Sequence, residues 1–223
     1  MCGRFTLGTP DHILAELFQL LNMPPLKPRY NIAPTQPVAV VRASASGSRR
    51  DMDLVRWGLV PSWAKDPSIG ARMINARAEG VAEKPSFRGP FKSKRCLIPA
   101  DGFYEWAKAG TRKQPYHFRL KDGGPFAFAG LWDAWAAPDG STLETCAIIT
   151  TTPNEVVAPV HDRMPVILDR QDHGRWLSRD ALVGELLTLL RPCPASILEA
   201  RPVGPHVNNP RNDGPECAAP AGS

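Results

Sequence analysis

The second residue of the chain is a cysteine, and Gly3, Arg4 and Phe5 follow it. Initiator methionine is removed from nascent chains when the next residue is small, and Cys qualifies. Removal would leave Cys2 with an α-amine and a thiol on adjacent carbons. Such a 1,2-aminothiol condenses with aldehydes: the amine forms an imine and the thiol closes a five-membered thiazolidine ring. An α-amine titrates at about 7.7–8.0, so roughly one tenth is neutral and nucleophilic at pH 7. Met-Cys-Gly also suits an N-terminal-nucleophile amidohydrolase of the glutaminase type, whose thiol attacks an amide while the amine serves as base. That class usually continues with an aliphatic residue and another glycine, whereas Arg4-Phe5 stands here. A chemically inert second residue is the third reading.

Glu105 lies in Phe103-Tyr104-Glu105-Trp106, where strand alternation puts Phe103 and Glu105 on one face and Tyr104 and Trp106 on the other. An acid there is expected to be partly buried, with a proton affinity raised toward that of a general acid/base. A salt bridge to a basic neighbour is equally open. His161, in His161-Asp162-Arg163-Met164-Pro165, is the best placed of the five histidines. Asn75 could hold a sugar hydroxyl or the N-terminal amine, and the planar fork of Arg77 suits a phosphate. Ordinary ion pairs at a helix entry are the alternative for that segment. Trp63, on a proline-stiffened loop, could stack on a base, while Trp57 is expected in the core.

The chain has 223 residues, 43% hydrophobic and 22% charged, an ordinary globular composition. Its length favours one large domain or two small ones. No apolar run approaches the roughly 18 residues of a membrane span. The opening MCGRFTLGTP lacks the apolar core of a secretory leader. Five Cys without a CxxC pair leave an odd thiol, which speaks against structural zinc or a disulfide framework and for a reducing intracellular compartment. No phosphate-binding Gly-rich loop, HExxH or GxSxG is present. The net charge is +5, but residues 42–113 hold 15 Lys/Arg against 7 Asp/Glu and also carry Trp57, Trp63 and Trp106. Cations interleaved with aromatics suit single-stranded nucleic acid. A solvated charged face is the other reading, and charge alone favours it.

Thr9-Pro10 predicts the start of a helix to about Leu21. Residues 22–37 read as an ordered loop, 44–50 as a turn. Strands are expected over 38–42, 54–59, 96–98, 102–107, 116–120, 126–130, 145–150 and 164–168. Helices are expected over 152–158, 170–177 and 181–190, and coil over 204–223. Many short strands with few helices predict an α+β domain around a curved or barrel-like sheet.

Several motifs resemble those of one family. They are Met1-Cys2-Gly3-Arg4-Phe5, Tyr30-Asn31-Ile32-Ala33-Pro34, Trp57-Gly58-Leu59-Val60-Pro61-Ser62-Trp63 and Ile74-Asn75-Ala76-Arg77-Ala78-Glu79. Arg95 to Trp106, His161-Asp162-Arg163-Met164-Pro165 and Val207-Asn208-Asn209-Pro210 complete the order. Together they are similar to the SOS-response-associated peptidase (SRAP) family of abasic-site processing proteins. The resemblance runs to about Cys217, so it implies a single domain over 1–217 and a flexible tail over 218–223. It implies a distorted, mainly antiparallel β-barrel-like core with peripheral helices. It implies single-stranded DNA with abasic sites as partner, junctions with duplex included, and a thiazolidine link to the ring-opened aldehyde. It also implies self-removal of Met1 and no metal or organic cofactor. A monomer would suffice, and with no membrane span expected, the location expected in a bacterium is cytoplasmic, nucleoid-associated on damaged DNA. By motif, Cys2 is the nucleophile, surrounded by Asn75, Glu105 and His161. Glu105 would relay protons and His161 would assist opening of the sugar ring. Arg4, Arg77 and Arg163 would hold phosphates, while Asn31, Pro34 and Trp63 would shape the DNA path. Gly80, where the family pattern leads one to expect Thr, departs from it.

Overall fold

β-Branched and aromatic runs pair into two sheets in the computed structural model, which describes residues 2–44, 49–110 and 112–222. The strands are β1 (Phe5–Leu7), β2 (Leu20–Asn22), β3 (Arg29–Ile32), β4 (Pro37–Ala43), β5 (Arg50–Trp57), β6 (Asn75–Arg77) and β7 (Arg95–Ala100). β8 (Gly102–Ala109), β9 (Arg112–Leu120), β10 (Phe126–Ala136), β11 (Thr142–Thr151), β12 (Met164–Pro165), β13 (Ile167–Leu168) and β14 (Leu198–Pro202) follow. Four short helices lie outside the sheets: α1 (Asp11–Phe18), α2 (Arg88–Ser93), α3 (His173–Leu177) and α4 (Val183–Thr188).

The larger sheet closes on itself. β11, β10, β7, β4 and β5 pair in antiparallel order, and the parallel pairing Thr145↔Arg56 and Cys146↔Trp57 joins β11 back to β5. Every residue of β7 is buried, as a strand with neighbours on both edges and packing on both faces requires. The second sheet, β14-β9-β8-β1-β3, lies against this barrel. Its aromatic face makes the joint. Phe5 meets Trp57 edge-on at 5.3 Å and Phe128 at 5.7 Å, and Phe103 stacks on Phe118 at 4.9 Å. The resulting core is continuous across both sheets. The expected barrel-like α+β domain is therefore found.

The seam of the barrel also carries β6. The Trp57 indole N–H donates to the Ile74 carbonyl at 2.9 Å, and the Leu59 N–H donates to Met73 O at 3.0 Å. Gly58, at φ +129°, runs against Gly70 so closely that a Cβ on it would stand 2.6 Å from the Gly70 carbonyl oxygen. That approach lets residues 70–74 cross the seam and lays β6 parallel to β11, with Asn75 opposite Ile148.

Several local expectations are corrected. Helix α1 ends at Phe18, because Gln19 turns left-handed at φ 54° and the chain pairs as β2. Residues 152–158 do not form a regular helix: Asn154 caps a single turn, its side-chain oxygen accepting the N–H groups of Val156 and Val157 and its carbonyl that of Ala158, and Pro159, without an N–H, cannot continue it. Asn75 to Arg77 is a strand rather than a helix entry. The 164–168 strand is two, with Val166 between them bonding Ile149 on one side and Ala129 on the other. The C-terminal segment is not loose coil: Val207 and Cys217 are buried, Pro220 bridges Val203, and the Ala221 N–H donates to Pro202 O at 3.0 Å. Most of the 44–50 turn lies outside the described residues.

Gly58→Ala strains both the backbone and the Gly70 contact. It is expected to lower the unfolding free energy by about 2–3 kcal/mol. Urea unfolding measures this, and an unchanged midpoint would contradict the seam's role.

Candidate active site

Four elements bring the site together. Cys2 leads into β1, which pairs with β8 through Phe5↔Phe103. One step before that pair the Tyr104 N–H donates to Arg4 O at 3.0 Å, so Glu105 is carried alongside the start of the chain. Asn75 comes from β6, and its amide Nδ2 donates to the Cys2 carbonyl at 2.9 Å. His161 comes from the loop between β11 and β12.

That loop is fixed by Arg163. Its Nη1 and Nη2 grip both carboxylate oxygens of Glu79 at 2.6 and 2.9 Å, and Nη2 also donates to Thr150 O at 2.7 Å. The Arg163 backbone N–H donates to His161 Nδ1 at 2.9 Å. Nδ1 also lies 3.2 Å from the Arg163 carbonyl oxygen, so it faces both a donor and an acceptor of that residue. Nε2 stands 3.8 Å from Glu105 Oε2. Burial pulls the imidazole's pKa down, although the exposed Asp162 carboxylate, 3.1 Å from Nδ1, opposes this.

Glu105 is 3% exposed. Burial is the chief reason its pKa is pushed up to about 7, and the Asp162 charge adds to it. The Cys2 thiol is wholly buried, and burial followed by the Glu105 charge pushes its pKa well up, so it rests protonated. A protonated thiol beside a carboxyl poised near neutrality can hand its proton over as it attacks. The Asn75 side-chain oxygen is buried with no hydrogen-bond partner among the described residues, leaving an acceptor for an N–H or O–H. No group of three His, Cys, Asp or Glu side chains that could hold a metal occurs among the described residues.

Glu105 and His161 open onto a cleft of about 850 Å³ that is also lined by Arg4, Trp106, Lys113, Pro205 and Asn208. Lys113, Pro205 and Asn208 were not singled out from sequence, although Asn208 lies inside the Val207–Pro210 motif. The Trp106 indole N–H donates to Asn208 Oδ1 at 2.7 Å. The other expected DNA-contacting residues divide. Arg77 is exposed at the end of β6, and Trp63 is 58% exposed, beside Arg88 in a separate cleft of about 520 Å³. Pro34 is half-buried and does not line the cleft. Asn31 is fully buried, so it has no surface for DNA; its side chain bonds Arg4 and the C-terminal segment instead. Arg163 is spent on Glu79 and Thr150, which makes it a prop for the His161 loop. A mixed cavity of about 550 Å³, lined by Phe126, Leu168 and Leu189 but also by Asp169, Arg170 and Arg191, shares no residue with the cleft.

The profile of the SOS response associated peptidase (SRAP) family matches residues 1–210. "Abasic site processing protein YoqW" of Bacillus subtilis is 46% identical over 221 residues, spanning 97% of this chain and 98% of the relative. "Abasic site processing protein HMCES" of Mus musculus is 35% identical over 271 aligned positions, spanning 99% of this chain and 76% of the relative. The crystal structure of a Bacteroides thetaiotaomicron protein superposes with a TM-score of 0.89 at 26% identity, covering 99% of this chain and 100% of that one.

The raised pKa of Glu105 makes folding pH-dependent. The folded protein keeps this proton up to about 7, while the unfolded chain releases it at its usual 4.5. The stability that comes with the proton is full below the unfolded value and is lost as pH rises through the folded one. Glu105→Gln is therefore expected to gain about 1–3 kcal/mol relative to the parent across that window. Urea unfolding at a series of pH values checks it; parallel curves for the two proteins would contradict the burial of an ionising carboxyl.

Proposed function

We propose, for a chain that belongs to the SOS response associated peptidase (SRAP) family, that Cys2 captures the ring-opened aldehyde of an abasic site in single-stranded DNA once Met1 is gone. Relatives carrying the name abasic site processing protein support the substrate. The observation that supports the chemistry is a buried Glu105 carboxyl, 3.8 Å from His161 Nε2, on the strand that pairs with the start of the chain, where Asn75 holds the Cys2 carbonyl.

The steps balance. Ring opening moves a proton from the C1′ hydroxyl to the ring oxygen: the Glu105 carboxylate takes the hydroxyl proton as the His161 imidazolium gives one to the ring oxygen, and proton exchange between the two groups resets them with the aldehyde exposed. The freed α-amine of Cys2 adds to C1′, and one amine proton passes to the aldehyde oxygen, which becomes the carbinolamine hydroxyl. The carbinolamine loses water as the Glu105 carboxyl donates a proton to the departing hydroxyl, giving an imine. The Cys2 thiol then adds to C1′; its proton passes to Glu105 and the imine nitrogen is protonated in turn. Aminothiol plus aldehyde gives thiazolidine plus one water. A carboxyl with a pKa of about 7 can serve both as donor at dehydration and as acceptor at thiol attack, and in the reverse direction. Asn75 holds the Cys2 carbonyl, which fixes the amine's approach.

Arg4 and the exposed Arg77 serve as phosphate contacts, with Trp63 available to stack on a base. The covalent product shields the lesion in a single turnover, as a lyase-like reaction. The family's peptidase designation supports hydrolytic self-removal of Met1 as the step that frees the amine. A monomer in the cytoplasm, on damaged chromosomal DNA, meets these requirements.

A denaturing gel with single-stranded DNA bearing one abasic site tests this. A heat- and detergent-stable shifted band is expected only with the lesion. Cys2→Ala should abolish it while much noncovalent binding remains, and Cys2→Ser should give at most a reducible imine. An equal band from Cys2→Ala would end the assignment; release of ammonia from glutamine with no band would favour an amidohydrolase. Arg77→Ala should weaken binding and lower the salt slope by about one. An unchanged slope would remove Arg77 from the phosphate contacts.

A further inference from the structure

The motif Val207-Asn208-Asn209-Pro210 has no part in the chemistry above, yet its main chain reaches Arg4. One guanidinium nitrogen of Arg4, Nη1, donates to Val207 O and to Asn31 Oδ1, both at 2.9 Å. The Asn31 amide in turn donates to the carbonyls of Val207, Asn209 and Asn212 at 3.2, 3.0 and 2.7 Å. The segment is anchored at Asp213. Its Oδ1 accepts the backbone N–H groups of Tyr30 and Asn31 at 2.8 and 2.7 Å, and its Oδ2 accepts Arg29 Nε at 2.8 Å. The same segment fixes the neighbouring wall, because Asn208 holds the Trp106 indole and the Arg4 guanidinium lies 5.9 Å from that ring.

Arg4 is thus held by one nitrogen while the rest of its fork has no hydrogen-bond partner among the described residues and borders the cleft. A long cationic side chain presented in one rotamer loses less freedom when it meets an anion. We propose that residues 207–213 form a clasp that orients Arg4 toward a phosphate next to the lesion, with Asp213 as its positioning residue. The inference rests on the reading of Arg4 as a phosphate contact. Asp213 touches neither the DNA nor Cys2; it acts through Asn31 and the carbonyls that Asn31 gathers.

The test uses the full chain and single-stranded DNA carrying a tetrahydrofuran abasic analogue, which has no aldehyde, so that only noncovalent binding is read. Fluorescence anisotropy over a salt series is compared for the parent, Arg4→Ala, Asp213→Ala and the double variant. Each single change is expected to weaken binding about tenfold and to lower the salt slope by about one, and the double variant should match Arg4→Ala alone. Multiplying losses in the double variant, or parental binding by Asp213→Ala where Arg4→Ala binds weakly, would overturn the proposal. Asp213→Asn, which still accepts both amides, should bind nearly as the parent; a merely structural loss would not be rescued in this way. Circular dichroism checks folding. Should Asp213→Ala not fold, Asp213→Glu, which keeps the charge but pushes the segment outward, should weaken binding at least about threefold; parental binding by Asp213→Glu would likewise overturn the proposal. Nitrogen NMR of the guanidinium separates the two readings. Restricted Arg4 Nη signals in the parent that average in the Asp213 variant support the clasp even if Arg4→Ala leaves DNA binding unchanged, an outcome that would remove only the phosphate reading. Equal restriction in both proteins would overturn the clasp.

Discussion

The structure depends on a short antiparallel contact between β1 and β8, pinned by Phe5. This ring packs on Trp57 and Phe128 of the barrel while its backbone pairs with Phe103. The consequence is chemical. A buried carboxyl, Glu105, is brought to the first residues of the chain in a place where water cannot stabilise its charge. The apolar joint between the two sheets and the proton affinity of the site therefore have one cause. Loosening Phe5 would admit water, lower the Glu105 pKa and free the chain start together.

The remaining site residues are delivered by the barrel's closure. The parallel seam between β5 and β11 lets residues 70–77 cross it, and Asn75 arrives opposite Ile148 to meet the Cys2 carbonyl. Arg163 ties the next loop to Glu79, just beyond β6, and its own backbone N–H donates to the histidine Nδ1. The bidentate Arg163–Glu79 ion pair thus joins the loop of His161 to the residues that follow Asn75 and β6. The carboxylate of Glu79 is held well ionised by Arg163, as this coupling requires.

The sequence made some of this legible and hid the rest for physical reasons. The strands carrying Cys96, Glu105 and Cys146 were readable because their alternation and β-branching are local, and the same alternation foretold the burial of Glu105. The short helix expected at 152–158 stops after the one turn that Asn154 caps, because Pro159 has no N–H to carry it on. The role of Asn31 was not readable, because its partners at Val207, Asn209 and Asn212 are brought to it only by the tertiary fold. Asp213 gave no signal for the same reason. The family resemblance implies a phosphate contact for Arg163, whereas the fold brings it the Glu79 carboxylate.

The most direct test of the central claim is the nature of the new bond at the sugar carbon. Single-stranded DNA carrying an abasic site labelled with carbon-13 at C1′ would be crosslinked to the Met1-free protein and read by carbon NMR. The account predicts a saturated C1′ bonded to both nitrogen and sulfur, formed with loss of one water. An unsaturated imine carbon that persists, or a label attached to any residue but Cys2, would contradict it.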